Sequence, residues 1–168
     1  MSHELTLFPV STATPGGRQR WQQRIVLAFQ DHLAEDELKL TPQRRAILEA
    51  LFKATDHLDL DGLYQAVKHE RAGVGRATVF RTLKLLERCG LVDRVDAANG
   101  VARFELKHDR PHHDHMVCVE CGGIFEFQSP RMETLQNEAV RQAGFTALWH
   151  RHEIFGRCRP CAAKRVRK

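Results

Sequence analysis

The sequence predicts an α+β protein, with an N-terminal winged helix-turn-helix domain followed by a small C-terminal α/β domain built around a four-cysteine zinc site. Four segments before residue 89 have apolar residues at helical spacing, and a β-hairpin pattern follows them directly. Two Cys-x-x-Cys pairs then mark the second domain. We expect a flexible leader over residues 1–19, the winged-helix domain over 20–108, the second domain over 109–162 and a basic tail over 163–168.

The first three helices are predicted from periodicity and capping residues. Apolar residues recur every three or four positions from Trp21 to Leu33, which is typical of an amphipathic helix. A second helix is expected to begin at Thr41-Pro42, because threonine caps helix N-termini and proline favours the first helical position. A third is expected to follow Asp59.

The fourth helix is predicted over residues 76–88. Its apolar stripe runs from Val79 to Leu86 and leaves Arg81 on another face. Gly90 then ends the helix, since glycine is the common residue just past a helix C-terminus.

A β-hairpin is predicted next, with strands over residues 91–95 and 101–106. The dipeptide Asn99-Gly100 lies between them and is a strong hairpin signal. Helices followed at once by a two-stranded hairpin indicate a winged helix-turn-helix. The alternative is a small α+β core with an exposed basic helix.

The second domain is predicted to hold three strands and one helix. Strands over 115–119 and 124–127 surround the first Cys-x-x-Cys, a helix runs from Ser129-Pro130 to Gln142, and a strand returns over 145–155. A domain of roughly 55 residues is near the size at which a metal or a partner subunit is needed for stability.

The cysteine pairs suit a tetrahedral Zn(II) with four thiolate ligands, because each pair supplies two ligands from one tight turn. With all four positions filled by the protein, this zinc is expected to be structural and to contribute folding free energy. Disulfides, redox thiols or an iron–sulfur cluster are the alternatives. The expected ligands are Cys118, Cys121, Cys158 and Cys161.

Histidines cluster just before the first cysteine pair, in the run His112-His113-Asp114-His115. If this run is extended, His113 and His115 point one way and the other two residues point the opposite way. One short segment then feeds two metal sites, and imidazole with carboxylate suits Fe(II), Mn(II) or Zn(II) more than Cu(I). An accidental surface run of histidines is the alternative.

Composition is ordinary for a globular protein, with 42% hydrophobic and 28% charged residues. No apolar run is long enough to cross a membrane, and no secretion signal is visible. We therefore expect a cytoplasmic protein with reduced cysteines and no membrane contact. The net charge of +5 permits nucleic-acid binding without establishing it.

Four motifs resemble the ferric uptake regulator family in order and spacing, and the resemblance covers roughly residues 25–161. The motifs are Leu40-Thr41-Pro42-Gln43-Arg44, Ala77-Thr78-Val79-Phe80-Arg81-Thr82-Leu83, His112-His113-Asp114-His115 and Cys118-Val119-Glu120-Cys121-Gly122.

The resemblance implies a homodimer that binds a palindromic operator in double-stranded DNA when its regulatory site holds a metal, usually as a repressor and not as an enzyme. It also makes the second domain the dimerisation domain. The regulatory ligands of the family correspond here to His57, Glu105, His113, His115 and Glu126. A second metal site corresponds to His112, Asp114, Glu133 and His150.

DNA contacts are expected on and before the fourth helix. Thr78 can reach a base edge, Phe80 can pack on thymine methyls and Arg81 can meet phosphate or base. Arg76 begins this helix, and Lys39 matches a family position that reaches the minor groove. The usual family tyrosine is Phe80 here, which keeps the apolar contact but removes a hydroxyl. A core position for Phe80 is the alternative.

Members of this family sense iron, zinc, manganese, nickel, peroxide or haem. Peroxide sensors typically have Asp where Glu105 and Glu126 stand, and many zinc sensors have a Cys near position 105 that is absent here. The resemblance therefore favours an iron-dependent repressor with structural Zn(II) and regulatory Fe(II), or Zn(II) or Mn(II) in its place. A zinc- or peroxide-sensing member, a His/Asp metallohydrolase and a zinc-storage protein are the alternatives.

Overall fold

The computed structural model describes residues 6–7, 15–54, 56–71, 73–97, 100–107 and 113–166, which form two compact units. None of the described helices is both long and apolar enough to cross a membrane. In chain order the elements are β1 (Thr6–Leu7), α1 (Pro15–Glu35), α2 (Pro42–Lys53), β2 (Leu58–Asp59), α3 (Leu60–Glu70), α4 (Arg76–Arg88), β3 (Val92–Asp96), β4 (Ala102–Leu106), β5 (Asp114–Cys118), β6 (Ile124–Gln128), α5 (Pro130–Gln142), β7 (Glu153–Gly156) and α6 (Arg159–Val166).

One unit contains α1 to α4 and a three-stranded sheet in the order β2-β4-β3. The central strand β4 pairs antiparallel with both neighbours. Each helix places a fully buried apolar residue in the common core: Phe29, Ile47, Leu63 and Leu86 are all 0% exposed. This is a helix-turn-helix followed by a β-hairpin wing, as predicted; the short strand β2 was not predicted.

Capping residues explain where the middle helices begin. The Oγ1 atom of Thr41 accepts a hydrogen bond from the backbone N–H of Arg44 at 3.3 Å, and Oδ1 of Asp59 accepts one from Gly62 at 2.7 Å. The fourth helix has the predicted bounds. It ends before Gly90, whose φ of 68° lies in the left-handed region that glycine adopts readily.

The other unit contains a four-stranded sheet in the order β1-β6-β5-β7. Strands β5 and β6 form an antiparallel pair, whereas β7 runs parallel to β5 after a crossover through α5. Helix α5 has its predicted bounds and is capped by Ser129, whose Oγ accepts from the backbone N–H of Met132 at 3.4 Å. The parallel register sets Cys118 opposite Gly156, so both Cys-x-x-Cys turns lie at the same end of the sheet.

Two described elements extend into the segments expected to be the leader and the tail. Thr6–Leu7 forms a strand because it can pair with the edge of β6, and α1 begins at Pro15, earlier than the apolar pattern indicated. At the other end, α6 continues through Val166 across the expected boundary at residue 163, because alanine and lysine extend a helix readily. Residues 167–168 lie outside the described part of the chain.

The long strand predicted over 145–155 is wrong, since only Glu153–Gly156 is a strand. A strand needs a neighbour for its backbone hydrogen bonds, and β5, the neighbour of β7, begins only at Asp114, one residue before the first paired position. The preceding segment leaves Leu148 and Trp149 89% and 81% exposed.

Candidate metal centres and nucleic-acid interface

The four cysteines of the two turns come together. One donor atom from each lies within 4.8 Å of all the others, and Sγ of Cys121 is 3.7 Å from Sγ of Cys158. A tetrahedral zinc with Zn–S bonds of about 2.3 Å separates its sulfurs by about 3.8 Å. The thiols are therefore spaced as a four-thiolate zinc site requires. This cluster consists of Cys118, Cys121, Cys158 and Cys161.

Two of these thiols differ strongly in acidity. Hydrogen bonds from the backbone N–H groups of Cys121, then Cys158 and Glu120, lower the pKa of the Cys118 thiol to about 6. The neighbouring Cys158 side chain and then burial raise the pKa of Cys161 to about 12. Cys118 is therefore the first of these two to become a thiolate, the form that binds metal.

In the helical unit, His57 and Glu105 form a buried pair. The Nε2 atom of His57 lies 3.2 Å from Oε1 of Glu105, and each side chain is 8% exposed. Strand β4 positions Glu105, and β2, which follows His57 directly, pairs with that strand. The unit thus presents an imidazole and a carboxylate together, both of which are metal-ligand types.

In the sheet unit, His113 and His115 lie side by side, with ring centroids 5.1 Å apart in an edge-to-face arrangement. Glu126 of β6 is directly opposite His115, and the two offer donor atoms within 4.8 Å of each other. This sheet face therefore supplies three further donors of the same chemical types.

A separate cluster joins Asp114, Glu133 and His150, whose donor atoms lie within 4.8 Å of one another. Nε2 of His150 is 3.4 Å from Oε1 of Glu133, and Asp114 is buried. Asp114 therefore belongs to a different cluster from the adjacent histidines. His112, the fourth residue expected here, lies outside the described residues.

Helix α4 presents a polar and aromatic surface. Phe80 is 49% exposed, so it does not belong to the core, and Arg81 beside it is exposed. Thr78 is half-buried, and its carbonyl accepts a hydrogen bond from the hydroxyl of Thr82 at 2.8 Å. Arg76 is exposed and paired with Asp61, with Nη2 2.8 Å from Oδ2. Exposed side chains of these types can meet bases and phosphates in a DNA groove.

Lys39 lies in the loop between α1 and α2, which is held from two sides. The guanidinium of Arg44 donates a hydrogen bond to the Lys39 carbonyl at 2.6 Å, and Arg88 at the end of α4 pairs with Asp36. The exposed Lys39 side chain thus extends from a loop that Arg44 of α2 and Arg88 of α4 both hold.

Sequence reasoning did not identify the partners that hold these residues in place. Asp61 precedes Arg76 by 15 positions, and Asp36 precedes Arg88 by 52, so no helical or strand spacing links either pair. Arg44 is different, because it stands one turn beyond the Thr41 cap and could have been inferred from that position.

Comparison with known proteins gives a consistent result. Residues 35–155 match the Ferric uptake regulator family. The chain is 36% identical over 135 residues to the ferric uptake regulation protein of Campylobacter jejuni, covering 79% of this chain and 85% of that one.

Solved structures of regulators are also similar. The ferric uptake regulator of Helicobacter pylori, whose structure is described as revealing three functional metal-binding sites, superposes with a TM-score of 0.75 and 25% identity over 84% of this chain and 93% of that one. The ferric uptake regulator of Pseudomonas aeruginosa, solved with manganese, superposes with a TM-score of 0.67 and 37% identity over 77% of this chain and 96% of that one.

These proteins regulate transcription and are not enzymes, so the metallohydrolase alternative has no support. The match spans both structural units and includes the α4 motif and the first cysteine pair. The chain belongs to the ferric uptake regulator family of transcriptional regulators.

Proposed function

We propose that this regulator is an iron-dependent repressor that binds operator DNA as a homodimer when its regulatory site holds Fe(II). The buried His57–Glu105 pair is the observation that carries the proposal. It places metal-ligand side chains in the same unit as the exposed face of α4. Metal binding by this pair therefore acts directly on the unit that meets DNA.

The proposed domains are a DNA-binding domain over residues 20–108 and a dimerisation domain over 109–162. The division into a helical unit and a sheet unit supports this arrangement. The junction itself falls within residues 108–112, outside the described part of the chain. A regulator that acts on bacterial DNA works in the cytoplasm, and we propose that location.

We propose that one regulatory ion takes ligands from both domains. The helical unit offers two donors and the sheet unit three, so neither set alone fills the coordination of a first-row metal. Ligation by both sets would fix the angle between the domains. The metal would stabilise this arrangement only to the extent that it binds this arrangement more tightly than the alternatives. The proposed ligands are His57, Glu105, His113, His115 and Glu126.

The angle matters because dimeric helix-turn-helix proteins place their recognition helices about one helical turn, or about 34 Å, apart on DNA. We propose that α4 enters the major groove, where Phe80 contacts thymine methyls and Thr78 and Arg81 contact bases or phosphates. Arg76 contacts phosphate next to its Asp61 partner, and Lys39 enters the minor groove.

Two further sites complete the proposed metal content. The cysteine cluster holds structural Zn(II), since its sulfur spacing fits a tetrahedral ion and leaves no open position. Asp114, Glu133 and His150, together with His112, form a second non-cysteine site. Three sites in all is the number described for the Helicobacter pylori regulator.

Homodimer formation is supported by the segment before β7. Phe145, Leu148 and Trp149 are all more than two-thirds exposed. Large apolar side chains grouped within five residues mark an interaction surface, and aromatic residues are enriched in such surfaces. A second copy of the chain is the partner that a palindromic operator requires.

We propose iron as the regulatory metal because the proposed ligands are histidine imidazoles and glutamate carboxylates, with no cysteine among them. A metal titration of operator binding tests the proposal, with Fe(II) under anaerobic conditions and Mn(II) and Zn(II) in parallel. We expect Fe(II) to promote binding and EDTA to abolish it. Metal-independent binding, or a response to Zn(II) alone, would overturn the iron assignment.

A further inference from the structure

We infer that Glu120 and Arg157 form a clamp that holds the two Cys-x-x-Cys turns together and slows the loss of zinc from the cysteine cluster. The inference rests on the proposed structural zinc site and deepens it. Neither residue is one of the four cysteine ligands, and neither is among the site residues that the family resemblance implies.

The Glu120–Arg157 clamp is a direct contact between the two turns. Nε of Arg157 donates a hydrogen bond to Oε1 of Glu120 at 2.6 Å, and both groups are charged, which makes this a strong type of hydrogen bond. Glu120 lies between the two cysteines of the first pair, and Arg157 directly precedes Cys158 of the second. The contact therefore joins two ligand-bearing segments that are 37 positions apart in the sequence.

The sheet places the two side chains next to each other. Just past the end of β5, the backbone N–H of Val119 donates a hydrogen bond to the carbonyl of Gly156, the last residue of β7, at 2.8 Å. Glu120 and Arg157 each follow one residue after this backbone contact. The clamp thus continues the parallel pairing of β5 and β7 into the turns, as a contact between side chains.

The clamp is only partly shielded from water, because the side chains of Glu120 and Arg157 are 29% and 44% exposed. Ion pairs at such positions contribute modestly to stability, since water and salt screen the charges. We therefore expect the clamp to have little effect on the fold as a whole. Its effect should appear in the step that separates the two turns.

Zinc release is such a step. Each turn supplies two of the four thiolate ligands, so the ion can leave only after one turn has moved away from the other. The Glu120–Arg157 clamp contains no sulfur ligand and must break in the same movement. It should therefore slow zinc release without changing the ligand set.

Charge gives the two residues unequal importance. Four thiolates with one Zn(II) have a net negative charge, and the carboxylate of Glu120 adds another negative charge close by in the sequence. The guanidinium of Arg157 compensates this carboxylate. Loss of Arg157 alone should therefore destabilise the zinc-loaded cluster more than loss of both residues.

The rate of zinc transfer from the full-length protein to excess 4-(2-pyridylazo)resorcinol tests this inference. A brief EDTA treatment beforehand empties the histidine-containing sites, so that the indicator measures the cysteine cluster alone. We expect Arg157→Gln to accelerate release about two- to fivefold, as is typical for the loss of a partly exposed ion pair. Arg157→Lys, which keeps the charge, should stay within about twofold of the parent.

The double variant Glu120→Gln/Arg157→Gln separates the clamp from a general loss of structure. We expect it to release zinc more slowly than Arg157→Gln alone, because no uncompensated carboxylate remains beside the cluster. Two independent structural losses would instead add. Amide hydrogen exchange gives a second measurement that needs no zinc removal: the N–H of Val119 should exchange faster in zinc-loaded Arg157→Gln than in the parent.

Arg159→Gln is the matched control. Arg159 is an exposed arginine between the two cysteines of the second pair, so this variant removes an equal charge from the same turn and leaves the clamp intact. Its release rate should stay within about twofold of the parent.

Parental release by Arg157→Gln, equal acceleration by Arg159→Gln, or faster release by the double variant than by Arg157→Gln would each overturn the clamp while leaving the zinc site intact. A parent protein whose cysteine cluster holds no zinc would overturn the zinc assignment itself. The two failures are thus distinguishable.

Discussion

Nε2 of His57 lies 3.2 Å from Oε1 of Glu105, and both side chains are almost fully shielded from water. Charge interactions are stronger at such a position than at the surface, because the effective dielectric constant is lower. The pair also links β4 of the wing to the start of β2, two elements that pair in one sheet. A cation bound there would therefore act on the frame that supports the DNA-binding helices.

Glu105→Gln should separate this charge effect from packing, because glutamine keeps the shape and removes the charge. We expect at least a tenfold loss of metal-dependent operator affinity, equivalent to about 1.4 kcal/mol. Fluorescence anisotropy with labelled operator and a Mn(II) titration measures it. Glu70→Gln, which removes a carboxylate of α3 that pairs with Lys53 of α2, is the control and should respond to metal as the parent does. Equal behaviour of both variants would exclude Glu105 from the site.

The acidity of Cys118 makes the zinc-free protein sensitive to pH. Its folded pKa of about 6 is below the usual value of 9.0, so the thiolate contributes stability that is fully present above pH 9 and lost as pH falls through 6. Urea unfolding of zinc-free protein between pH 6 and 9 should therefore show stability rising with pH. Cys118→Ser should flatten that rise, and an unchanged slope would contradict the assignment.

Phe80→Ala should weaken operator binding without weakening the fold. The side chain is half exposed on α4, so the free energy of unfolding should change by less than about 0.5 kcal/mol, while operator affinity falls by about 1 to 2 kcal/mol. Thermal unfolding and gel-shift measurements on the same samples separate the two effects.

Leu83→Ala is the contrast on the same helix, because Leu83 is buried and its truncation should cost about 2 to 5 kcal/mol of stability. Phe80→Tyr, which restores the hydroxyl usual in the family, should keep affinity and shift operator preference. A loss of stability in Phe80→Ala comparable to that in Leu83→Ala would show that Phe80 is a core residue.

Trp149→Ala should weaken the homodimer by about 2 kcal/mol or more, since buried tryptophans dominate interface energies. Sedimentation equilibrium measures the dissociation constant, and zinc content reports whether the domain is still folded. Leu27→Ala, an exposed apolar residue on α1 of the other unit, is the control and should leave the dimer unchanged. Equal dimer dissociation constants for the two variants would show that the dimer interface does not include Trp149.

Local signals predicted most of the fold. Thr41, Asp59 and Ser129 cap helices where their side chains predicted, and Gly90 ends α4. Each of these signals depends only on neighbours within a few residues, so the helix ends can be predicted from the local sequence alone. The alternation of side chains along residues 113–115 is also a local property. It places His113 and His115 together and Asp114 in a different cluster.

Features that depend on distant pairing were missed. The strand at Thr6–Leu7 exists because β6 has an edge available, and β7 starts at Glu153 because of where β5 starts. Only the parallel register brings Glu153 opposite His115, and no local spacing predicts that pairing. Periodicity describes which face a residue occupies but not which strand lies next to it.

The parallel pairing of β5 with β7 also orders events during synthesis. Cys118 and Cys158 are 40 positions apart, so at about 5 to 20 residues per second the second thiol pair leaves the ribosome about 2 to 8 seconds after the first. During that interval the nascent chain has only two of the four cysteines of the zinc cluster, and β5 lacks its parallel neighbour. Zinc can be fully enclosed only after α5 has formed the crossover. Metal capture is therefore a late step, and it closes a long-range contact that would otherwise form slowly.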